Sequence, residues 1–282
     1  MSESMILATT LEELRQACAL LDKPLGLVPT MGYLHPGHIS LVERARAECA
    51  SVGVSIFVNP TQFGPSEDLA KYPRNIERDL KLLEAAGADV VWLPTPEIVY
   101  PTGFQTWVTV EGLTSPLEGA MRPGHFRGVT TVVAKLFNAF QPQRAYFGQK
   151  DAQQAAVIRR MTRDLDFPIE IVVCPTVREP DGLAMSSRNS YLNPEERQAA
   201  TVLFRALSAA REAYLSGERQ AERLKALMTS IIQAEPLASL QYVSCADYDT
   251  LEELETITGK TLLSMAVFIG KTRLIDNFVL GD

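Results

Sequence analysis

Two histidines three residues apart, His35 and His38, lie in the string PTMGYLHPGH, which ends at His38 and joins an apolar run to a helical period. Pro36 and Gly37 between them read as the start of a helix, whose backbone N–H groups favour phosphate. Gly37 has no side chain, so a ligand can approach the backbone closely. Such a pair can stabilise charge on phosphate oxygens, and His38, inside the first helical turn, is the better placed to donate a proton. The plain alternative is a loop residue followed by a helix-start residue; two histidines at this spacing, after a strand, favour function. Further along, Lys150 follows a short apolar run and opens another helix, which suits a point-charge contact to phosphate; the plain alternative is an exposed lysine. Ser186, Ser187 and Arg188 put two hydroxyls and a guanidinium together, a clamp for a polyphosphate or a solvated turn. Asn59 and Gln62 follow another strand and offer uncharged hydrogen bonds; an Asn-Pro turn explains Asn59 but not Gln62.

These residues need elements to hold them, and the chain alternates strand and helix. Thr10 and Glu13 have capping-box spacing ahead of a first helix through Leu11, Leu14, Cys18 and Leu21. A short strand over residues 25–28 ends at Pro29, and a helix resumes from Ile39. Strands are predicted at 52–58, 90–93, 145–147 and 169–173, and helices at 76–86 (closed by Gly87), 129–140 and 153–163. This alternation argues for an α/β fold, a doubly wound parallel sheet covered on both faces. The loop carrying His35 and His38 would then lie at a strand's C-terminal end, where such sheets bind ligands. The composition changes after Cys174 and Pro175, which gives a Rossmann-like domain over 1–176 and a smaller α+β domain over 177–282. In the latter, amphipathic helices are expected at 194–215 and 221–234 and strands at 240–246, 262–269 and 273–279.

The composition narrows the function classes. Across 282 residues, 27 Lys and Arg face 34 Asp and Glu, a net charge of −7 that disfavours an indiscriminate grip on nucleic acid. The first basic residue is Arg15 and no apolar run approaches a membrane span, so a cytoplasmic protein without a membrane anchor is expected. The four cysteines, Cys18, Cys49, Cys174 and Cys245, are widely spaced among apolar neighbours and read as buried thiols; with three histidines and no C-x-x-C pair, a zinc site is not expected. Gly259-Lys260-Thr261 ends like a phosphate-binding loop, but that motif needs glycine where Leu254 stands.

The H-x-G-H string after a first strand resembles the signature of the nucleotidyltransferase superfamily, and the longer PTMGYLHPGH string resembles its pantoate–β-alanine ligase (pantothenate synthetase) family. In order, FVNPTQF (57–63), EGAMRPGHFRG (118–128), FGQKDAQQ (147–154), MSSRN (185–189) and LIDN (274–277) fit the same pattern, from about residue 25 to the end. Tyr33, Pro36 and Gln149 fall where the family is expected to vary. The resemblance implies ATP-dependent condensation of pantoate with β-alanine through an enzyme-bound pantoyl adenylate, with AMP and pyrophosphate released. It implies catalytic roles for His38, His35 and Lys150. ATP contacts are implied for Met31, Gly32, His35, His38, Gly148, Gln149, Lys150, Asp151, Val177, Met185, Ser186, Ser187 and Arg188. Gln62, Asn59 and Gln154 are implied on pantoate or β-alanine. The family further implies a homodimer and Mg²⁺ bound with ATP, although no protein cage for the ion is readable.

Several readings stay open. Asp151 and Gln154 also have the spacing of a helix cap, and Arg122, His125 and Arg127 could serve an interface, a helix start or the site. A related nucleotidyltransferase would act on a phosphorylated substrate and stop at a nucleotide product. A non-catalytic nucleotide-binding regulator would lack a histidine or Lys150, and all three are present. The second domain is expected to close over ATP and exclude water from the anhydride.

Overall fold

The computed structural model describes residues 5–65 and 67–281. Contacts group the chain into two compact units, one running to Gly148 and including Gln153–Pro175, the other made of Gln149–Ala152 and the chain from Thr176 onward.

In the first unit the elements follow the order β1 (Ile6–Ala8), α1 (Leu11–Leu20), β2 (Leu25–Thr30), α2 (Pro36–Glu48), β3 (Ser51–Ile56), α3 (Ile76–Ala85) and β4 (Val90–Trp92). After the short helices α4 (Pro96–Val99) and α5 (Glu118–Met121) come α6 (His125–Phe140), β5 (Arg144–Gly148), α7 (Ala152–Asp164) and β6 (Glu170–Cys174). The six strands form one parallel sheet in the order β1-β4-β3-β2-β5-β6. Alternate strand residues face opposite sides. Val28, Val52, Val54, Ile56 and Val91 pack with Leu41, Val42 and Ala45 of α2 and Leu83 of α3. Trp92, next to Val91, points the other way and meets Phe140 of α6 edge-on at 6.2 Å. The doubly wound expectation holds. From β2 the chain steps outward through β3 and β4, then returns to place β5 on β2's other side, so the strand order reverses between β2 and β5. Ligand crevices of open α/β sheets lie at such a reversal, beyond the strands' C-terminal ends.

In the second unit, α8 (Pro194–Ala199), α9 (Val202–Leu215) and α10 (Ala221–Gln233) precede an antiparallel sheet of β7 (Ala238–Asp247), β8 (Thr261–Ile269) and β9 (Thr272–Leu280) in that order. Leu203, Leu207 and Ala210 of α9 and Leu224, Met228 and Ile232 of α10 close over Leu263, Met265 and Val267 of β8. The expected small α+β unit is present.

Three expectations change. Pro29 does not stop β2, which continues to Thr30 beside Ser55 and Ile56 of β3; pairing with β5 extends only over Gly26 and Leu27, so Pro29 has a neighbour on one side, where a missing N–H is tolerated. The helix expected at 129–140 begins at His125, so His125 and Arg127 are helical. The single helix expected over 194–215 is two: at Thr201 the N–H and the hydroxyl both turn back to the Gln198 carbonyl (3.3 and 2.8 Å), a tightened turn that ends α8. The edge strand β1, three residues long, carries too little pattern to be read from sequence. All four cysteines are free and buried, and burial pushes the Cys18 and Cys245 thiols up to about 11. Thr261 opens a strand rather than a helix, so the GKT string has no phosphate-loop geometry. Among the described residues no helix is long and apolar enough to cross a membrane.

Candidate active site

The loop after β2 is tightly fixed. Thr30 donates its hydroxyl to the Ser55 carbonyl (2.9 Å) and accepts from the Gly32 N–H (3.2 Å). Gly32 has φ +83°, and a Cβ there would lie 2.9 Å from Ile56 Cγ2, so only glycine fits. Tyr33 is also left-handed (φ 51°), a costly conformation for a bulky residue. Asp79 of α3 holds it: its carboxylate is fully buried and accepts the backbone N–H groups of Tyr33 (2.7 Å) and Leu34 (2.8 Å). Sequence reasoning misses Asp79. It lies on a different helix, and no local spacing connects it to the loop.

His35 caps α2 and His38 occupies its third helical position, so the pair forms a histidine version of a capping box. The Gly37 N–H donates to His35 Nδ1 (3.1 Å), and the His35 N–H donates to His38 Nδ1 (3.3 Å). The rings lie 4.0 Å apart, tilted by 43°. Since each Nδ1 accepts, each neutral ring carries its hydrogen on Nε2, the atom farther from the backbone. The arrangement thus presents two N–H donors at a helix N-terminus beside the strand-order reversal.

The turn after β3 adds amide groups. Asn59 is buried and heavily engaged: its Nδ2 donates to Gln62 Oε1 (3.0 Å) and to the Gly128 carbonyl (3.1 Å), while its Oδ1 accepts from the Thr61 hydroxyl (2.9 Å) and the Tyr100 hydroxyl (2.8 Å). It shapes the turn and aims Gln62; a direct bond from its amide to a ligand would break one of these. Gln62 Nε2 lies 3.1 Å from Met31 Sδ, which brings the turn and the histidine loop together.

Arg122, His125 and Arg127, left open from sequence, make their contacts around this turn. Arg122 forks onto Glu67 (2.6 and 2.8 Å). Burial works against the charge on Glu67, but the Arg122 bonds and charge outweigh it and hold the carboxyl below its usual range. His125 donates from Nδ1 to the Gln62 carbonyl (2.8 Å), and its Nε2 faces Arg122 Nη1 at 3.2 Å. Desolvation, helped by the Arg122 charge, lowers its pKa to about 4, so it is neutral at pH 7. Arg127 stacks its guanidinium over the Trp107 ring at 4.5 Å. These contacts run to Glu67, the Gln62 turn and Trp107 rather than to the histidine loop.

Gly148 ends β5. Gln149, Lys150 and Asp151 form a 3-10 turn that runs directly into α7, with Asp151 immediately before its first residue, Ala152. Lys150 Nζ is 3.8 Å from the half-exposed Asp151 carboxylate. Gln154 is partly exposed on α7 of the first unit; its buried neighbour Gln153, also missed, accepts from the Glu118 N–H (2.9 Å) and donates to the carbonyls of Leu113 and Pro116 (each 2.9 Å). In the second unit the Met185 N–H pairs with the Val177 carbonyl (3.0 Å), and Ser186 caps the 3-10 turn Ser187–Tyr191 by accepting the Arg188 N–H (3.3 Å). Among the described residues no three His, Cys, Asp or Glu side chains gather as a metal site.

Residues 6–279 match the family described as Pantoate-beta-alanine ligase. A curated relative, the pantothenate synthetase of Roseiflexus sp. (strain RS-1), is 64% identical over 276 residues, 98% of this chain and 99% of that protein. The crystal structure of pantothenate synthetase from Thermus thermophilus is 51% identical and superposes with a TM-score of 0.93, covering 97% of this chain and 99% of that one. The pantoate-beta-alanine ligase from Francisella tularensis, solved as a complex with beta-gamma ATP and beta-alanine, is 35% identical with a TM-score of 0.79, each chain covered to 98%.

Proposed function

The chain belongs to the pantoate-beta-alanine ligase family and forms pantothenate from pantoate and β-alanine with ATP; from that premise we propose that His38, His35 and Lys150 carry the chemistry through a pantoyl adenylate. A carboxylate is a poor acyl donor, so activation comes first. A pantoate carboxylate oxygen attacks the α-phosphorus, the bond from that phosphorus to the α,β-bridging oxygen breaks, and pyrophosphate leaves. Negative charge grows on phosphate oxygens in this step, which donors fixed in advance stabilise without reorganising. In the second step the neutral amine of β-alanine attacks the acyl carbon, the bond to AMP breaks, and the amine sheds a proton.

The observation that carries the reading is the histidine pair, locked by backbone bonds at the N-terminus of α2 with both Nε2 atoms as donors. His38 donates to the α-phosphate and His35 supports it. Lys150 supplies a positive point charge, while Met31, Gly32, Gly148, Gln149 and Asp151 line the nucleotide. Val177 and Met185 contact ATP, and Ser186, Ser187 and Arg188 hold the polyphosphate, Arg188 by its planar fork. Gln62, aimed by Asn59, and Gln154 take pantoate and then β-alanine. The nucleotide and polyphosphate contacts would take ATP together with Mg²⁺, which would supply neutralising charge at the phosphates. We further propose a cytoplasmic homodimer, with the exposed Trp107 segment on its surface as a candidate contact.

The test is AMP formation from ATP with pantoate and β-alanine supplied separately and together. Steady turnover should require both. Turnover with pantoate alone would instead indicate an enzyme that stops at nucleotide transfer.

A further inference from the structure

The LIDN string at 274–277 has no part in the chemistry above, yet its last two residues are buried polar groups on β9, Asp276 (2% exposed) and Asn277 (4%). Each is committed to a segment carrying proposed ATP contacts. Asn277 donates from Nδ2 to two successive carbonyls, Gln149 (3.0 Å) and Lys150 (2.9 Å), and accepts the Gln149 side-chain amide on Oδ1 (3.0 Å). Asp276 accepts both ends of the Arg178 guanidinium (2.7 and 2.9 Å). Arg178 also reaches the Gly182 carbonyl (2.9 Å), and its guanidinium faces the rings of Phe204 and Phe278 at 5.2 and 5.0 Å. Arg178 bridges to Ala184, and the Glu179 N–H to the Leu183 carbonyl and the Met185 N–H to the Val177 carbonyl close a small hairpin. That hairpin delivers Ser186, Ser187 and Arg188.

Two neighbouring residues of one strand therefore fasten both segments to the same sheet. This explains why Gln149–Ala152 belongs to the second unit, although the chain on either side of it belongs to the first. We propose that Asn277 is a positioning residue for Lys150: by clasping the backbone at 149–150 it fixes the lysine on the platform that also holds, through Asp276 and Arg178, the segment ending at Arg188. The inference rests on the reading that Lys150 contacts ATP. A charge that must meet a phosphate is effective only when its backbone is held in advance, because small misplacements cost large factors in rate or affinity. An amide suits this role because its two N–H groups meet two carbonyls at once, which neither a carboxylate nor an aliphatic side chain can do.

The test is ATP affinity by titration calorimetry on the full-length wild type, Asn277→Ala, Lys150→Ala and the double variant, with pantoate affinity and thermal melting measured on each. Lys150→Ala and Asn277→Ala should each weaken ATP about tenfold and leave pantoate within about twofold, in line with a loss of about 1.4 kcal/mol. The double variant should be no weaker than Lys150→Ala, because Asn277 then has no ammonium to place. Asn277→Asp, which keeps the volume but turns an oxygen toward the two carbonyls, should weaken ATP at least as much, and it carries the test if the alanine variant does not fold. A folded Asn277→Ala or Asn277→Asp with wild-type ATP affinity and only a lower melting temperature would overturn the inference, as would losses that multiply in the double variant. Unchanged affinity in Lys150→Ala would overturn the reading of Lys150 itself, and this inference with it.

Discussion

Replacing Asp79 by Asn tests the support of the histidine loop while changing almost no volume. The carboxylate accepts two backbone N–H groups, from Tyr33 at 2.7 Å and Leu34 at 2.8 Å, in a place without solvent. A hydrogen bond to a charged group contributes about 1.5–3 kcal/mol, and a buried donor left unpaired costs about 1–3 kcal/mol. The amide keeps one acceptor but turns an NH₂ toward the other N–H, so one bond is lost and two donors face each other; the expected loss of stability is about 2–4 kcal/mol. Tyr33 would no longer be held in its left-handed conformation, and His35 follows two residues later. A backbone shift of about 1 Å there should slow pantoate-dependent exchange of pyrophosphate into ATP about 100-fold. Urea denaturation and the exchange rate are measured on the same preparation. A variant within about 0.5 kcal/mol of wild type and equally fast would show that Asp79 does not hold the loop, and the reasoning from its two bonds would fail.

Other perturbations have equally definite outcomes. His38→Ala should cost about 1 kcal/mol of stability through the lost cap on the His35 N–H and still fold, but lose about 3 kcal/mol or more of transition-state stabilisation, so exchange should fall at least about 100-fold in the folded variant. Gly128→Ala would push a Cβ to 2.5 Å from the Thr61 carbonyl oxygen and 2.7 Å from the Gln62 nitrogen; overpacking of about 1–3 kcal/mol and weaker pantoate binding by calorimetry should result. For His125 the folded pKa is depressed to about 4, so as pH falls below about 6.5 the unfolded chain binds a proton that the fold refuses. Stability should therefore fall on acidification, by up to about 1.4 kcal/mol per pH unit between about 6.5 and 4, and His125→Asn should remove that component from urea denaturation at pH 7 and 5.

What the sequence reveals follows from how local each signal is. The α/β alternation, the α+β second unit and the capping box at Thr10 arise from periodicities or spacings within a dozen residues, and the structure has them. The histidine loop is legible for the same reason: its strand, turn residues and helix start are contiguous. The supports are not. Asp79 is 45 positions from Leu34, and Asn277 is 128 from Gln149; only the packing of α3 on the sheet and of β9 on the turn brings them into reach. Pro29 illustrates the converse, a strong local stop signal overridden because β2 lacks a partner on one side at that point. For His125 the sequence leaves an interface, a helix start or the site open, and its bonds at the start of α6 make it a neutral prop under Gln62.

The central claim is that activation of pantoate precedes and does not require the amine. Pyrophosphate release should be followed by rapid quench with ATP and pantoate but no β-alanine. The account predicts a burst of about one pyrophosphate per site followed by a stall, because the adenylate is held away from water, and renewed turnover with AMP release once β-alanine is added. Pyrophosphate appearing only after β-alanine, under conditions where pantoate and ATP are shown to be bound, would contradict it.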